Sequence, residues 1–323
     1  MKKLLSLALA LCMSLSLLTA CGAEKEVEET PEAPAAPENM VFTYVVSPLN
    51  VPSIIERDQG IFAKHLEPLG ATMEYTEITS GADQTQALAS GDVQVLYAVG
   101  GTSIILSAAN GADIKVLNMY SRSPAAFCLF SKDETLTTPE SLAGKTIAGP
   151  AGTNLHELLV AYLATAGMTI EDVNYVSMGI PDAKAGLDGG SVDVAMIAGP
   201  TAYMAEQQGY HKVTDGEGLI SAIIAVCVTE EFYNAYPQVI TALEEAQAET
   251  IAYINDQQDA AFATVAETLD LDVSAVEEMY GMYDFSLETT DADLEGFQKT
   301  ADFMSENGMI EGEFDVNTLF IQK

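Results

Sequence analysis

Residues 145–167 read KTIAGPAGTNLHELLVAYLATAG, and this stretch sets the architecture. Thr146, Ile147 and Ala148 make a short apolar strand. Gly149, Pro150 and Gly152 then turn the chain, since glycine accepts backbone angles and close approaches that a Cβ forbids. Thr153 or Asn154 caps a helix, and Asn154 stands before Glu157 at the spacing of a capping box. Leu155, Leu158, Leu159, Tyr162, Leu163 and Ala166 fall on one apolar face, and Gly167 stops the helix. A helix opening at the carboxyl end of a strand offers free N–H groups and a positive dipole end to an anion or polar ligand. The loop is not a Walker loop, whose Gly-x-x-x-x-Gly-Lys-Ser/Thr run is missing. Nor is it a dinucleotide fingerprint, because Gly149 and Gly152 lack the further glycine that motif needs. Taken alone, it is also what an ordinary βα connection looks like. The rest of the chain decides.

Upstream, strands are predicted over 40–46, 72–78, 93–97 and 114–120. Helices are predicted over 51–66 with a break near Gly60, from Ser80 to Gly91, and from Gly100 to about Asn110. Such alternation means an α/β fold with a mostly parallel sheet. Ligands of these sheets bind beyond the carboxyl ends of the strands. That places Ser47, Asn50, Ser80, Gly81, Gly101, Thr102 and Arg122 at a candidate site, joined by Thr153 and Asn154 from the opening stretch.

The pattern then repeats. Leu88, Gly91, Val93, Val95, Gly100 and Thr102 recur as Leu187, Gly190, Val192, Val194, Gly199 and Thr201, at a constant offset of 99 residues. The reading is two similar lobes, each opening a helix with a glycine onto a shared cleft, which adds Gly199 and Thr201 to the candidate site. Cys128 and Cys227 share the offset, each inside an apolar strand, 127–130 and 222–228. This predicts that the two cysteines lie near each other on two crossover strands, either bonded or as buried free thiols.

The N-terminus predicts export. Lys2 and Lys3 precede an apolar run over 4–18 that ends Leu18-Thr19-Ala20-Cys21, giving a signal segment over 1–20. The Leu-x-Ala-Cys ending resembles the bacterial lipobox, in which the cysteine is acylated and becomes the mature N-terminus, here Cys21. Residues 21–39 are rich in Pro, Ala and Glu and predict a disordered tether. Attachment is therefore expected through a lipid and not a membrane-spanning helix.

The chain has 13 Lys and Arg against 48 Asp and Glu, a formal net charge of −35. That balance argues against nucleic acid and against binding of acidic lipid surfaces. His65, His156 and His211 stand apart from one another and from the cysteines, so no metal site is expected, and no motif calls for a cofactor. Asp291, Asp293 and Glu295 lack the glycine and third oxygen ligand of a calcium loop and are expected to cap the following helix. Arg57 lies mid-helix, whereas Arg122 follows the fourth strand, where it serves either as a carboxylate or sulfonate partner or as a surface-loop arginine. Tyr44, Tyr97, Tyr120 and Tyr203 are candidates to wall a ligand or to fill the core.

Taken together, the chain resembles the type II periplasmic-binding-protein superfamily, and within it the solute-binding components of ABC importers for aliphatic sulfonates, taurine, nitrate and thiamine-pyrimidine precursors. The resemblance is carried by Gly60-Ile61-Phe62-Ala63-Lys64, by Gly81, Gln84, Ala87, Leu88, Gly91 and Asp92, and by Pro139-Glu140-Ser141-Leu142-Ala143-Gly144-Lys145. Gly152-Thr153-Asn154, Gly190 with Val192-Asp193, and Phe303, Met304, Gly308 and Ile310 extend it over 40–320. Ala198-Gly199-Pro200 departs from the polar or aromatic residue that relatives often place before that proline. The resemblance implies lobe one over 40–127, lobe two over 128–221, and a return to lobe one over 222–323. It further implies capture of a small polar or anionic solute by hinge closure. The implied partners are an ABC permease and its ATPase, for a monomeric, extracytoplasmic lipoprotein on the outer face of the cytoplasmic membrane. Two alternatives stand beside it: an enzyme of the same fold, such as a thiamine-pyrimidine synthase or a tetrapyrrole-forming deaminase, and a ligand-sensing lipoprotein.

Overall fold

A computed structural model describes residues 36–46 and 48–321. The signal segment, the Cys21 lipid site, most of the tether and Ser47 lie outside the described residues.

The first part of the chain forms β1 (Asn39–Tyr44), α1 (Val51–Gln59), α2 (Ile61–Leu66), β2 (Thr72–Glu77), α3 (Gly81–Ser90), β3 (Leu96–Gly100), α4 (Gly101–Ala109) and β4 (Lys115–Arg122). The break at Gly60 is real: its φ of 61° ends α1 and opens α2. The middle part forms β5 (Phe127–Ser131), β6 (Thr146–Gly149), α5 (Asn154–Ala164), β7 (Asn174–Ser177), α6 (Ile180–Gly189), β8 (Val194–Ala198), α7 (Gly199–Gln207) and β9 (His211–Asp215). The last part returns as β10 (Ile223–Val228), followed by α8 (Glu230–Ala235), α9 (Pro237–Asp256), α10 (Gln258–Leu269), α11 (Val273–Tyr280) and α12 (Asp291–Glu306).

The strands assemble into two lobes with one plan. In the second, the order is β7-β6-β8-β5-β9. In the first, β1 pairs with β2 and is bridged by Phe42 to Val95, just ahead of β3, and β10 lies between β3 and β4. The first order is therefore β2-β1-β3-β10-β4, which matches the second strand for strand. Parallel pairing holds for β2-β1-β3 and for β7-β6-β8. The expectation of mostly parallel sheets needs one refinement: β10 and β5 run antiparallel to both neighbours. Each enters its sheet from the other lobe, so it starts where its neighbours end.

β3 begins later than predicted. Residues 93–95 are spent joining β1, with Gln94 N–H donating to Val41 (2.9 Å) and Thr43 N–H to Val95 (3.0 Å). Beyond them Ala98 has φ 82° and sits where the pairing with β10 slips between Ala225 and Val226. Alanine in this region is strained, and the β-bulge that holds it re-aims the strand's end. Segments 123–126 and 216–222 connect the two sheets side by side. Ser123 N–H donates to Ala222 (3.4 Å) and Gly216 N–H to Pro124 (3.2 Å).

The two cysteines require a correction. Cys128 on β5 and Cys227 on β10 are free thiols in separate apolar clusters, one per lobe. A repeat offset places residues at equivalent positions in two copies, not against each other.

In lobe one the core is an edge-to-face aromatic chain, Phe42–Phe62–Tyr97–Tyr120–Phe285, at centroid spacings of 5.0–6.1 Å. Tyr97 and Tyr120 are thus core residues and not a ligand wall. Tyr120 Oη lies 2.8 Å from Ser53 Oγ, which satisfies its hydroxyl. Burial of each such ring is worth about 1.5–3 kcal/mol.

Candidate functional site

Among the described residues, two meeting places of the lobes bear on the site. The first joins the start of α4, from lobe one, to the start of α5, from lobe two. Ser103 Oγ donates to the Gly152 carbonyl at 2.8 Å. Thr102 Oγ1 lies 2.8 Å from Asn154 Oδ1 and 2.6 Å from Glu157 Oε2. Thr300 Oγ1, on α12, donates to Glu157 Oε1 at 2.9 Å. All five side chains of this cluster are buried. Burial pushes the Glu157 carboxyl above the usual carboxylate range, opposed by the Thr102 and Thr300 hydroxyls. Neither α4 nor α5 has a side-chain cap at its N-terminus. Asn154 Nδ2 is buried and meets no hydrogen-bond partner among the described residues. The junction therefore holds two uncapped helix starts and one unused amide donor, a combination suited to an anionic or polar group.

The second meeting place sets the Pro48–Leu49 turn against the start of α7. Gly199 has φ 56°, and a Cβ there would lie 2.7 Å from Leu49 N and 2.9 Å from Pro48 Cα. Only glycine fits both the backbone angle and the approach. Tyr283 Oη accepts from Leu49 N–H at 3.1 Å and fixes the turn from the other side.

The remaining candidates fall around these points. Asn50 is buried and staples its own turn, its Nδ2 donating to Val45 at 3.0 Å. Ser80 caps α3 through Asp83 N–H at 3.4 Å, and Gly81 packs on Ser103. Gly101 lies against the Phe297 ring. Thr153 is the N-cap of α5 by backbone, but its hydroxyl donates to Pro150 at 2.9 Å. Thr201 is half-exposed.

Arg122 has a different set of partners. Its Nε and Nη2 donate to the two Asp293 carboxylate oxygens at 2.7 and 2.6 Å. Its Nη1 and Nη2 reach the Ser286 and Glu288 carbonyls at 2.5 and 2.7 Å. This bidentate pair ties the end of β4 to the start of α12, where Asp293 also completes a capping box with Thr290. The adjoining cavity, about 440 Å³, is lined by Arg122 together with Asp284, Glu288 and Asp293, and that charge balance repels anions.

Glu157 is the member of the site that the sequence conceals. In the sequence it reads as the far end of a capping box with Asn154. In the structure the N-cap is Thr153, and the carboxyl turns into the other lobe. A hint lay in the helix pattern, because Glu157 is a lone charge directly beside Leu158 and Leu159. The histidines are satisfied structurally: His156 Nδ1 accepts from Gly152 N–H at 3.2 Å, and its ring stacks on Tyr175 at 5.0 Å. Among the described residues no group of His, Cys, Asp and Glu could hold a metal ion. No helix there is long and apolar enough to cross a membrane.

Two lobes of matching strand order, joined by paired connections and facing each other through glycine-opened helices, define the periplasmic-binding-protein fold. The NMT1/THI5-like family model matches residues 51–261, and the chain belongs to that family. It is 29% identical over 195 residues to the taurine-binding periplasmic protein of Escherichia coli strain K12, covering 59% of this chain and 59% of that protein. It is 25% identical over 252 residues to the putative aliphatic sulfonates-binding protein of the same organism, covering 76% and 77%. Among solved structures, the alkanesulfonate-binding protein SsuA from Xanthomonas axonopodis pv. citri bound to MOPS superposes with a TM-score of 0.81 at 19% identity, over 90% of this chain and 100% of that one. The desulfurization enzyme DSZB has the same fold, at a TM-score of 0.64, 15% identity and coverage of 89% and 97%.

Proposed function

We propose that this protein is the extracytoplasmic solute-binding component of an ABC importer and that its lobes close on a small organic sulfonate. The observation that carries this is the junction of α4 and α5. Two uncapped helix starts and the buried, unused Asn154 Nδ2 supply N–H donors to an anionic head. The names of the taurine and aliphatic-sulfonate relatives support the same chemistry. In this reading Thr102, Thr153 and Asn154 surround the head group, Gly199 lets the lobes meet, and Arg122 braces the connection between them. Transport follows from release of the solute to a permease driven by its ATPase, with a monomer held to the membrane by acylated Cys21.

The enzyme reading is disfavoured by the thiols. Burial pushes Cys128 up to about 12 and Cys227 higher still, so neither is a ready nucleophile at neutral pH.

A thermal-shift screen of taurine, ethanesulfonate, nitrate and a hydroxymethylpyrimidine tests the reading. A ligand at one hundred times its Kd adds about 2.7 kcal/mol of stability. Stabilisation by a sulfonate is expected. Stabilisation by nitrate or the pyrimidine alone replaces the ligand class. For the anchor, mass spectrometry of membrane-extracted protein is expected to find diacylated or triacylated Cys21 as the first residue, and an unmodified start elsewhere rejects it.

A further inference from the structure

We propose that Glu157 is a positioning residue that sets ligand charge preference, because the proton it gains or loses decides which end of the Asn154 amide faces the site. The inference rests on the reading that the α4–α5 junction holds the ligand's head group.

Thr102 Oγ1 stands within hydrogen-bond distance of both Asn154 Oδ1 and Glu157 Oε2, yet a hydroxyl has one hydrogen to give. Thr300 has already spent its hydrogen on Glu157 Oε1. Two arrangements satisfy the cluster. With Glu157 protonated, its Oε2–H donates to Thr102, Thr102 donates to Asn154 Oδ1, and Asn154 Nδ2 is left as a free donor. With Glu157 ionised, Thr102 donates to the carboxylate and Asn154 must turn over to donate to Thr102. Its Oδ1 is then left as a free acceptor. The first arrangement suits an anion such as a sulfonate. The second presents an acceptor, with a carboxylate behind it, and suits a cation. The orientation in the structure, with Nδ2 unpartnered and Oδ1 on Thr102, is the first.

The surroundings leave Glu157 as the group that titrates here. α4 carries no ionisable side chain. On α12, Thr300 stands between exposed Lys299 and exposed Asp302, Glu295 is exposed, and Asp293 is held by Arg122. On α5 itself His156 turns away to Gly152 and Tyr175. Around the rest of α5, Glu140, Glu171 and Asp172 are exposed, and Cys128 on β5 donates to Ala125.

The test is calorimetric titration with ethanesulfonate from about pH 5 to about pH 9, the span over which buried carboxyls with raised pKa titrate, in buffers of differing ionisation heat. The wild-type protein is expected to take up as much as one proton per ligand. Its affinity should fall about tenfold per pH unit above the carboxyl's pKa. In Glu157→Gln the amide nitrogen donates to Thr102 permanently, so proton uptake disappears and binding at the alkaline end becomes tighter than wild type. A merely structural Glu157 produces no such gain. Ethanesulfonate binding without proton exchange in the wild type overturns the assignment, as does uptake that persists in Glu157→Gln, which would belong to His156. Should neither ethanesulfonate nor taurine bind at any pH, the ligand reading falls first and this assignment with it.

Discussion

The chain contains one strand–glycine–helix unit twice, and the two copies have diverged in what they do. In lobe one, Gly100 has an ordinary φ of −70°, and Thr102 is fully buried against Asn154 and Glu157 of the other lobe. In lobe two, Gly199 has φ 56°, Pro200 follows, and Thr201 is half-exposed. One copy supplies a polar cluster, and the other supplies a surface on which the Pro48–Leu49 turn lies. The repeat thus keeps strand order while the second-lobe helix start gives up its polar role. The first helices differ in the same way. Glu56 on α1 accepts from Phe62 N–H at 2.8 Å and from the Tyr75 hydroxyl, so it caps α2 within its own lobe. Glu157 on α5 reaches across to the other.

Substitutions at matched positions should break the symmetry unequally. Gly199→Ala meets the Pro48–Leu49 backbone at 2.7–3.0 Å and a left-handed φ that a Cβ disfavours, and is expected to cost about 2–5 kcal/mol in urea unfolding. Gly100→Ala meets only the Asn154 side chain, 3.3 Å away, and should cost less than about 1 kcal/mol. Equal costs would mean that the lobes do not meet at Gly199 in solution.

The buried carboxyl of lobe one gives the next test, by pH. Burial raises Glu56 from 4.5 to about 7. Between these values the folded protein binds more protons than the unfolded chain, so stability falls as pH rises through this window and levels above it. The loss is about 3 kcal/mol. Glu56→Gln should flatten that part of the profile, measured as urea midpoints at several pH values, and an unchanged slope would assign it elsewhere.

Smaller effects distinguish the threonines and the arginine. Thr102→Val strands its two buried partners, Asn154 Oδ1 and the Glu157 carboxyl, and should cost about 1–3 kcal/mol, whereas Thr201→Val should stay within about 0.5 kcal/mol. Arg122→Ala should lower stability by about 1–2 kcal/mol through Asp293 and the α12 cap. It should leave sulfonate affinity within about twofold, or a cleft role for Arg122 must be restored.

The architecture was legible because it is written in local periodicities. Apolar faces, glycine stops and the 99-residue offset locate strands and helices within a few residues. What the offset did not reveal is direction and contact. The antiparallel β10 and β5, and the separation of Cys128 from Cys227, follow from how the chain enters each sheet. Within the site, backbone positions such as Gly199 were readable from turn chemistry. Side-chain partners over long separations were not. Arg122 pairs with Asp293 and Glu157 with Thr102 and Thr300, and no sequence spacing encodes those meetings.

The central claim is that an anionic head is held where α4 meets α5, and not at the copied position on α7. Calorimetric titration of taurine and ethanesulfonate into the wild type, Thr102→Val and Thr201→Val tests it directly. One site is expected in the wild type, with an affinity lowered roughly 5- to 150-fold in Thr102→Val and little changed in Thr201→Val. Equal affinities in all three proteins, or loss confined to Thr201→Val, would contradict it.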